Sequence, residues 1–447
     1  MPRRGLGAHI VLPMAAIAVT MQIALAQAAG AESGVAADPV LSLSRVSVSS
    51  AGAEGNADSG LDSDWSRWGG AVSGNGRYIV FTSAATDLVP GDTNGVPDVF
   101  MRDRWTRRTE RLSVSGTGAE GNGKSSDPSI SADGRYVAFT SQASNLVAGD
   151  ANGTYDVFLK DRWTGAVTNL HVDSDEDQGN SAAYSPSVSA DGRYVAFSSS
   201  SVNLVPGVDN GYHNVYLRDV AAGTTEAVSL STAGEPLWES SSEPSISADG
   251  RYVAFTSKAS NAVPDDTNDT YDVFVRDRTA LTTTRASLTV PGEQFTLGSG
   301  SPSISADGRY VAFGGASDDG TSHVYRRDLR SGTTRQVSVG TGGAPGNGDS
   351  AWPSMSANGR FVTYESRATN LTPDEDTNEK IDVLVTDLLT QATTRVSVSA
   401  TGEQGDGRSE AMGISGDGRT VLFGSAASNL VANDTNGSGD AFVSTRA

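Results

Sequence analysis

The chain has 447 residues, a formal charge of −20, 51 glycines and no cysteine. That length holds two or three ordinary domains or one large repeat architecture. The acidity excludes nucleic acid and anionic membrane surfaces as partners, and the lack of thiols excludes disulfides, thiolate metal sites and cysteine nucleophiles.

Residues 1–28 read as a secretory signal. Arg3 and Arg4 precede an apolar run from Ile10 to Ala26, and Ala26-Gln27-Ala28 fits an A-x-A cleavage site. An uncleaved anchor is the alternative, but the run is short for a span, and no later stretch approaches membrane length. The mature chain is therefore expected outside the cytoplasm, secreted or in the cell envelope or periplasm, without a membrane span and as a monomer. Residues 29–42 form a short linker, and residues 43–447 form one repeat array.

A Gly-Arg-aromatic signature falls at Gly76, Gly134, Gly192, Gly250, Gly308 and Gly359, and in a weaker form at Gly418, where Thr420 replaces the aromatic. The first four intervals are each 58 residues; the fifth is 51 and the sixth 59. The shortening lies in one loop of the fifth unit, between Phe313 and Val324, and the extra residue lies in "NLTPDEDTNEKIDV" of the sixth. Such periodicity marks a repeat architecture. Each unit offers four short strands; in the second these are "PSIS" from Pro128, "RYVAFTS" from Arg135, "DVFLK" from Asp156 and "AVTNLHV" from Ala166. The second strand is apolar on both faces, so each sheet must be covered on both sides. Seven small sheets, each between two others, predict an all-β fold: a seven-bladed β-propeller of four-stranded antiparallel blades. A stacked solenoid is the rival, with shorter rungs. The last unit stops after its third strand, while "LSRVSVSSAGAEGNADS" from Leu43 resembles "TTRVSVSATGEQGDGRS" from Thr393. The N-terminal strand, placed at Arg45–Ser49, is thus expected to complete the last blade and remove its free edge.

The repeated "PSISADGRYVAF…DVFLKDRWTG" pattern resembles the WD40-like propeller repeat called PD40, found in TolB-type propellers, from about Arg45 to Ala447. The resemblance implies a propeller and a binding or scaffold role. The chain shows no N-terminal α/β domain of the TolB kind and no hydrolase domain of the kind that propeller peptidases add.

Five units share Asp-x-Asn-x-x-x-Asp: Asp92/Asn94/Asp98, Asp150/Asn152/Asp156, Asp266/Asn268/Asp272, Asp376/Asn378/Asp382 and Asp434/Asn436/Asp440. The third unit has Val208 and Asn214 in place of the acids, and the fifth lacks the loop. Such oxygens suit calcium, but Asp and Asn are also natural turn formers, and both readings stand. Residues present in every blade, such as Arg77 and Arg135, are expected to hold the blade together, and function is expected where the repeats differ. On the face carrying the long loops these are Trp65, Trp68, Trp238 and Trp352, with Tyr212 and His213; they either stack on a ligand or pack the loops. The short fifth unit should leave a notch there. No catalytic residue is assigned, because no G-x-S-x-G elbow or metal-binding histidine pair occurs. The expected role is noncatalytic binding of a protein or glycan; the alternative is an enzyme acting on extracellular polysaccharide through carboxylates at the channel mouth.

Overall fold

The Ser-Ala-Asp-Gly-Arg turn shows how local chemistry builds each blade. Asp133 Oδ1 accepts from Ser131 Oγ at 2.7 Å and from the Arg135 amide at 2.9 Å, and Ser131 Oγ accepts the Tyr136 amide at 2.9 Å. Gly134 sits at φ 76°, and a Cβ there would come within 2.2 Å of the Tyr78 ring of the preceding blade. Glycine is therefore required twice, for its backbone and for the close approach.

The computed structural model describes residues 41–61, 69–340 and 342–446. The signal segment, most of the linker, Trp65 and Trp68 lie outside the described residues. Among the described residues there are seven four-stranded antiparallel sheets and no helix. The second blade is representative, with strands Ser125–Ile130, Tyr136–Ser141, Asp156–Asp161 and Val167–Asn169. Six blades are meanders in chain order. The second strand of each lies against the first strand of the next blade, and the first and seventh blades meet, so the ring is closed: a seven-bladed β-propeller.

The seventh blade takes its fourth strand from the N-terminus, as expected, but from Leu41–Arg45 rather than Arg45–Ser49. Leu41 pairs with Arg446 and Arg45 with Phe442. The strand therefore begins two residues before the expected start of the array. The Val-Ser-Val-Ser alternation misled: the Val46 amide bonds the Ala441 carbonyl, and Val48 turns back to bridge Glu54.

Packing occurs between blades. Val137, Phe139 and Phe158 of the second blade join Val80, Val99 and Met101 of the first in one buried cluster. Each such side chain contributes about 1.5–3 kcal/mol. The recurring arginine pins the outer turn. Arg135 Nε and Nη2 donate to Asp161 at 3.0 and 2.7 Å, and the same fork joins Arg77–Asp103, Arg251–Asp277, Arg309–Asp328 and Arg360–Asp387. The Arg251 hydrogen bonds hold the Asp277 carboxyl down at about 2 against the burial that would raise it. Trp105 and Trp163 cover Arg77 and Arg135 at 4.6 and 4.5 Å, which gives both a structural task on the face opposite the long loops.

Candidate functional site at the channel mouth

Each acid pair in four of the five acidic loops already holds a cation, an arginine. Arg111 Nη1 lies 3.2 Å from Asp92 and 3.2 Å from Asp98, and it also pairs with Glu120. Arg285 meets Asp266 at 2.9 Å and Asp272 at 3.4 Å; Arg395 meets Asp382 at 2.8 Å and Asp376 at 3.9 Å. Arg45, arriving on the closing strand, meets Asp434 and Asp440 at 3.3 Å and pairs with Glu54. Asn94 and Asn268 donate to the strand-leading carboxylate at 2.9 and 3.0 Å. The oxygens of Asn94, Asn378 and Asn436 accept the backbone N–H two residues on, at 3.0, 2.8 and 2.9 Å. Burial raises the carboxyls of Asp98, Asp266, Asp272, Asp382 and Asp434, and those of Asp92 and Asp440 to about 6, and the facing arginines oppose that rise.

The charges vary together across the ring. The third blade has Ala227 where four other blades have arginine, and it also lacks the acid at both loop positions. The fifth blade has Gln336 there and no loop. The second blade alone keeps Asp150 and Asp156 while carrying Asn169 at the arginine position. There Gln178 Nε2 donates to Asp150 at 2.8 Å and Asp156 at 3.0 Å, and His171, fully buried, sits 2.5 Å from Asp156.

The side chain of Asn152 is engaged at both ends by the protein itself. Asn152 Oδ1 accepts the Thr154 amide at 3.1 Å, and Asn152 Nδ2 donates to Asp156 Oδ1 and to the Gly179 carbonyl, both at 3.0 Å. That is the turn-forming use of asparagine, shared by the oxygens of Asn94, Asn378 and Asn436.

The channel is different. The first strand of the second to sixth blades bulges beside its proline, and the residue before that proline adopts a left-handed backbone: Asp127 (φ 52°), Ser185 (55°), Glu243 (55°), Ser301 (55°) and Trp352 (53°). Non-glycine residues rarely adopt that conformation, at a cost of order 1 kcal/mol each. The bulge turns one side chain per blade into the channel, and this position varies where the following Pro-Ser does not. Together with Gly69, Glu410 and Met412 these residues line a cavity of about 410 Å³. Burial raises the Asp127 carboxyl to about 6, against hydrogen bonding from Ser126 and the charge of Lys124. Glu243 Oε2 accepts from Thr256 Oγ1 and from the Ser301 amide, both at 2.8 Å. Arg408 pairs with Glu410 at 3.3 Å.

Beside this cavity the fifth blade carries the expected notch. A five-residue turn, Ser317–Thr321, replaces the long loop. Gly300, Gly314 and Gly315 stand where the fourth blade has Ser242, Thr256 and Ser257. The resulting cleft has a volume of about 490 Å³ and shares Glu243, Ser301 and Trp352 with the channel. Tyr271, Leu297 and Trp352 line it and are 52%, 54% and 41% exposed.

Of the aromatic residues singled out in the sequence, the structure brings Trp352 to both cavities. Trp238, Tyr212 and His213 line neither; the Trp238 amide donates to Asn261, and the His213 carbonyl accepts the Ser241 amide in the junction between the third and fourth blades. Asp127, Glu243, Tyr271 and the glycines of the fifth blade were missed. The signal was present: the two residues before Pro-Ser vary from blade to blade while the Pro-Ser itself does not.

No family model matches the sequence, and no curated protein matches it. Solved structures do. TolB from Acinetobacter baumannii is 17% identical over 67% of this chain and 59% of its own, with a TM-score of 0.42. An oligogalacturonate lyase in complex with manganese is 12% identical over 92% and 94%, with a TM-score of 0.53. The β-propeller domain of the Trilobed protease from Pyrococcus furiosus is 10% identical over 80% and 90%, with a TM-score of 0.48. The chain thus spans 59% of the length of that TolB, and the likeness to the lyase shows a shared fold.

Proposed function

We propose that this chain is an exported, monomeric, noncatalytic propeller of the PD40 type that binds a protein or glycan at the channel mouth. One observation carries the reading. Six blades keep an arginine-pinned outer turn and five keep an acidic loop, whereas the Asp127–Glu243–Trp352 position and the fifth-blade cleft differ from blade to blade. Recognition belongs where the copies diverge. Among the described residues no helix is long and apolar enough to cross a membrane. Calcium enters this reading at the second blade, through the carboxylates of Asp150 and Asp156 and without Asn152, because a neutral glutamine faces that pair. In the other four loops the guanidinium stands where the ion would.

A polysaccharide-acting enzyme is the second reading, favoured by one observation: burial inside the channel raises the Asp127 carboxyl to about 6, in the direction a general acid needs. Incubation with polysaccharide and peptide panels, following both binding and products, separates the two. Stable binding without turnover, lost in Glu243→Gln or Trp352→Ala, supports the module. Turnover abolished by Asp127→Asn refutes it in favour of the enzyme.

A further inference from the structure

The propeller contains its own picture of what the fifth-blade cleft holds. Where the second blade meets the third, Tyr155 packs on Tyr184, with ring centroids 5.4 Å apart and planes at 42°. The Ala183 amide bonds the Tyr155 carbonyl at that junction. Where the fourth blade meets the fifth, the Ser299 amide makes the same bond to the Tyr271 carbonyl. Tyr271 therefore stands in the place of Tyr155, and Gly300 in the place of Tyr184. Glycine supplies no ring to cover Tyr271, which is 52% exposed. Space is not the reason for the glycine. A Cβ on Gly300 would meet Glu243 Oε2 at 3.5 Å and Thr256 at 3.6 Å, which is ordinary contact, and its φ lies outside the positive range.

A second, independent feature points to an occupant. Ser125, Ser350 and Ser409 each share a hydrogen bond with a serine on the neighbouring strand, at 2.9, 2.8 and 2.9 Å. Ser299 faces Gly315 instead. Its hydroxyl, on a residue only 6% exposed and in the wall of the cleft, has no partner among the described residues. An orphaned buried hydroxyl is unfavourable until something bonds it.

Resting on the binding-module reading above, we propose that the fifth-blade cleft is a subsite for a neutral pyranose ring of a glycan. The ring stacks on Tyr271 in the place of Tyr184 and sets its hydroxyls against Glu243 and Ser299. A pyranose has an apolar C–H face for the tyrosine and hydroxyls at its edge for the surrounding polar wall. A phenyl ring would cover Tyr271 but leave the carboxylate and the serine unanswered. Uronic acids are disfavoured, because Glu243 in the wall of the cleft repels a carboxylate. A volume of about 490 Å³ falls within the roughly 300–1,000 Å³ of small-molecule sites.

The test uses the intact protein, titrated with cello-, malto-, xylo- and chito-oligosaccharides and with oligogalacturonate as the anionic control. Binding is read by calorimetry and by ligand-observed NMR. At least one neutral oligosaccharide binds saturably, Gly300→Tyr weakens it more than tenfold with an unchanged melting temperature, and oligogalacturonate binds more weakly. Tyr271→Ala gives the same loss by removing the platform, so the result does not depend on one variant folding. The proposal is overturned if no neutral sugar binds up to ~10 mM, a ceiling equivalent to about −2.7 kcal/mol. It is also overturned if Gly300→Tyr binds like the parent, or if oligogalacturonate is preferred. A protein partner blocked by Gly300→Tyr in the absence of sugar binding overturns the pyranose and leaves the binding module standing. Loss of both overturns both.

Discussion

Replacing Arg111 by methionine tests whether built-in guanidinium groups hold the blades together. The side chain is 8% exposed and faces Asp92, Asp98 and Glu120, which are 3%, 0% and 20% exposed. Removing one partner of a buried ion cluster leaves uncompensated charge, at a cost of about 3–5 kcal/mol. Over roughly 400 ordered residues, at about 2.1 cal/mol/K per residue, 1 kcal/mol moves the midpoint about 1.2 °C, so the loss is ~4–6 °C. The pH dependence identifies the cause. Burial already lifts Asp92 to about 6. Without Arg111, Asp92 and Asp98, both already raised by burial, titrate higher still, so the folded variant binds more protons and loses stability as pH rises through that window. The deficit relative to the parent is small near pH 5 and large near pH 7.5. One oxygen from each of the three acids lies within 4.8 Å of the others. Calcium therefore recovers part of the loss in the variant, about 2.7 kcal/mol at a hundredfold excess over its Kd. Calorimetric melts of both proteins, at two pH values with and without calcium, make the measurement. A deficit below ~1 kcal/mol, or one independent of pH, refutes the idea that the guanidinium compensates buried charge.

Asp127→Asn removes a carboxyl whose folded value, about 6, lies above its unfolded one. Such a group favours the folded state below pH ~4, and its contribution is lost as pH rises to 6, so the variant gains ~1–2 kcal/mol over the parent at pH 7.5 and nothing at pH 4; equal melts at both pH values refute this. Calcium raises the melting temperature of the unmodified protein through the second-blade loop, and Asp150→Asn abolishes the increment; identical melts in calcium and in excess chelator remove calcium from the proposal. Deleting residues 41–45 exposes the Asp440–Arg446 edge and strips Arg45 from Asp434 and Asp440, so the truncated protein melts lower and self-associates in light scattering; a monomer of unchanged stability refutes strand closure as a stabilising device.

The repeat made the fold legible. A fixed interval, two-faced apolar strands and a missing last strand together demanded a closed ring, and Tyr136–Ser141 and Asp156–Asp161 lie within a residue or so of where the sequence put them. The closing strand was misplaced because Val46-Ser-Val-Ser imitates strand alternation, while the paired residues are the less regular Leu41–Arg45. The first strands were read short, since their pairing resumes at Ser125 and Ser126 on the far side of a bulge at Asp127 that no propensity announces. The partners of the acidic loops were hidden for a related reason. An Asp-x-Asn ladder is a local pattern, whereas its cation sits thirteen residues past Asp98 in Arg111, or at the other end of the chain in Arg45 beside Asp440. Spacing also could not say which way an amide points, and Asn152 turns its N–H toward Asp156 and its oxygen to the Thr154 backbone.

The same comparison among blades separates upkeep from recognition. Where the arginine disappears in the third and fifth blades, the acids disappear with it; the second blade keeps its acids and answers them with Gln178 and His171. The fifth blade breaks this economy in the opposite sense. It lacks the side chains at Gly300, Gly314 and Gly315, leaves its own Ser299 and the fourth blade's Tyr271 unanswered, and gains no substitute among the described residues. Decay of one repeat has no need to preserve its strand register. The backbone here instead holds the register of the other blades, with Ser299 still opposite Gly315 and Ile304 still opposite Val311. A cleft kept open at its full height, beside the one position where the left-handed residue changes from blade to blade, is the part of this propeller least accounted for by the needs of the fold, and that is the physical ground for placing the ligand there.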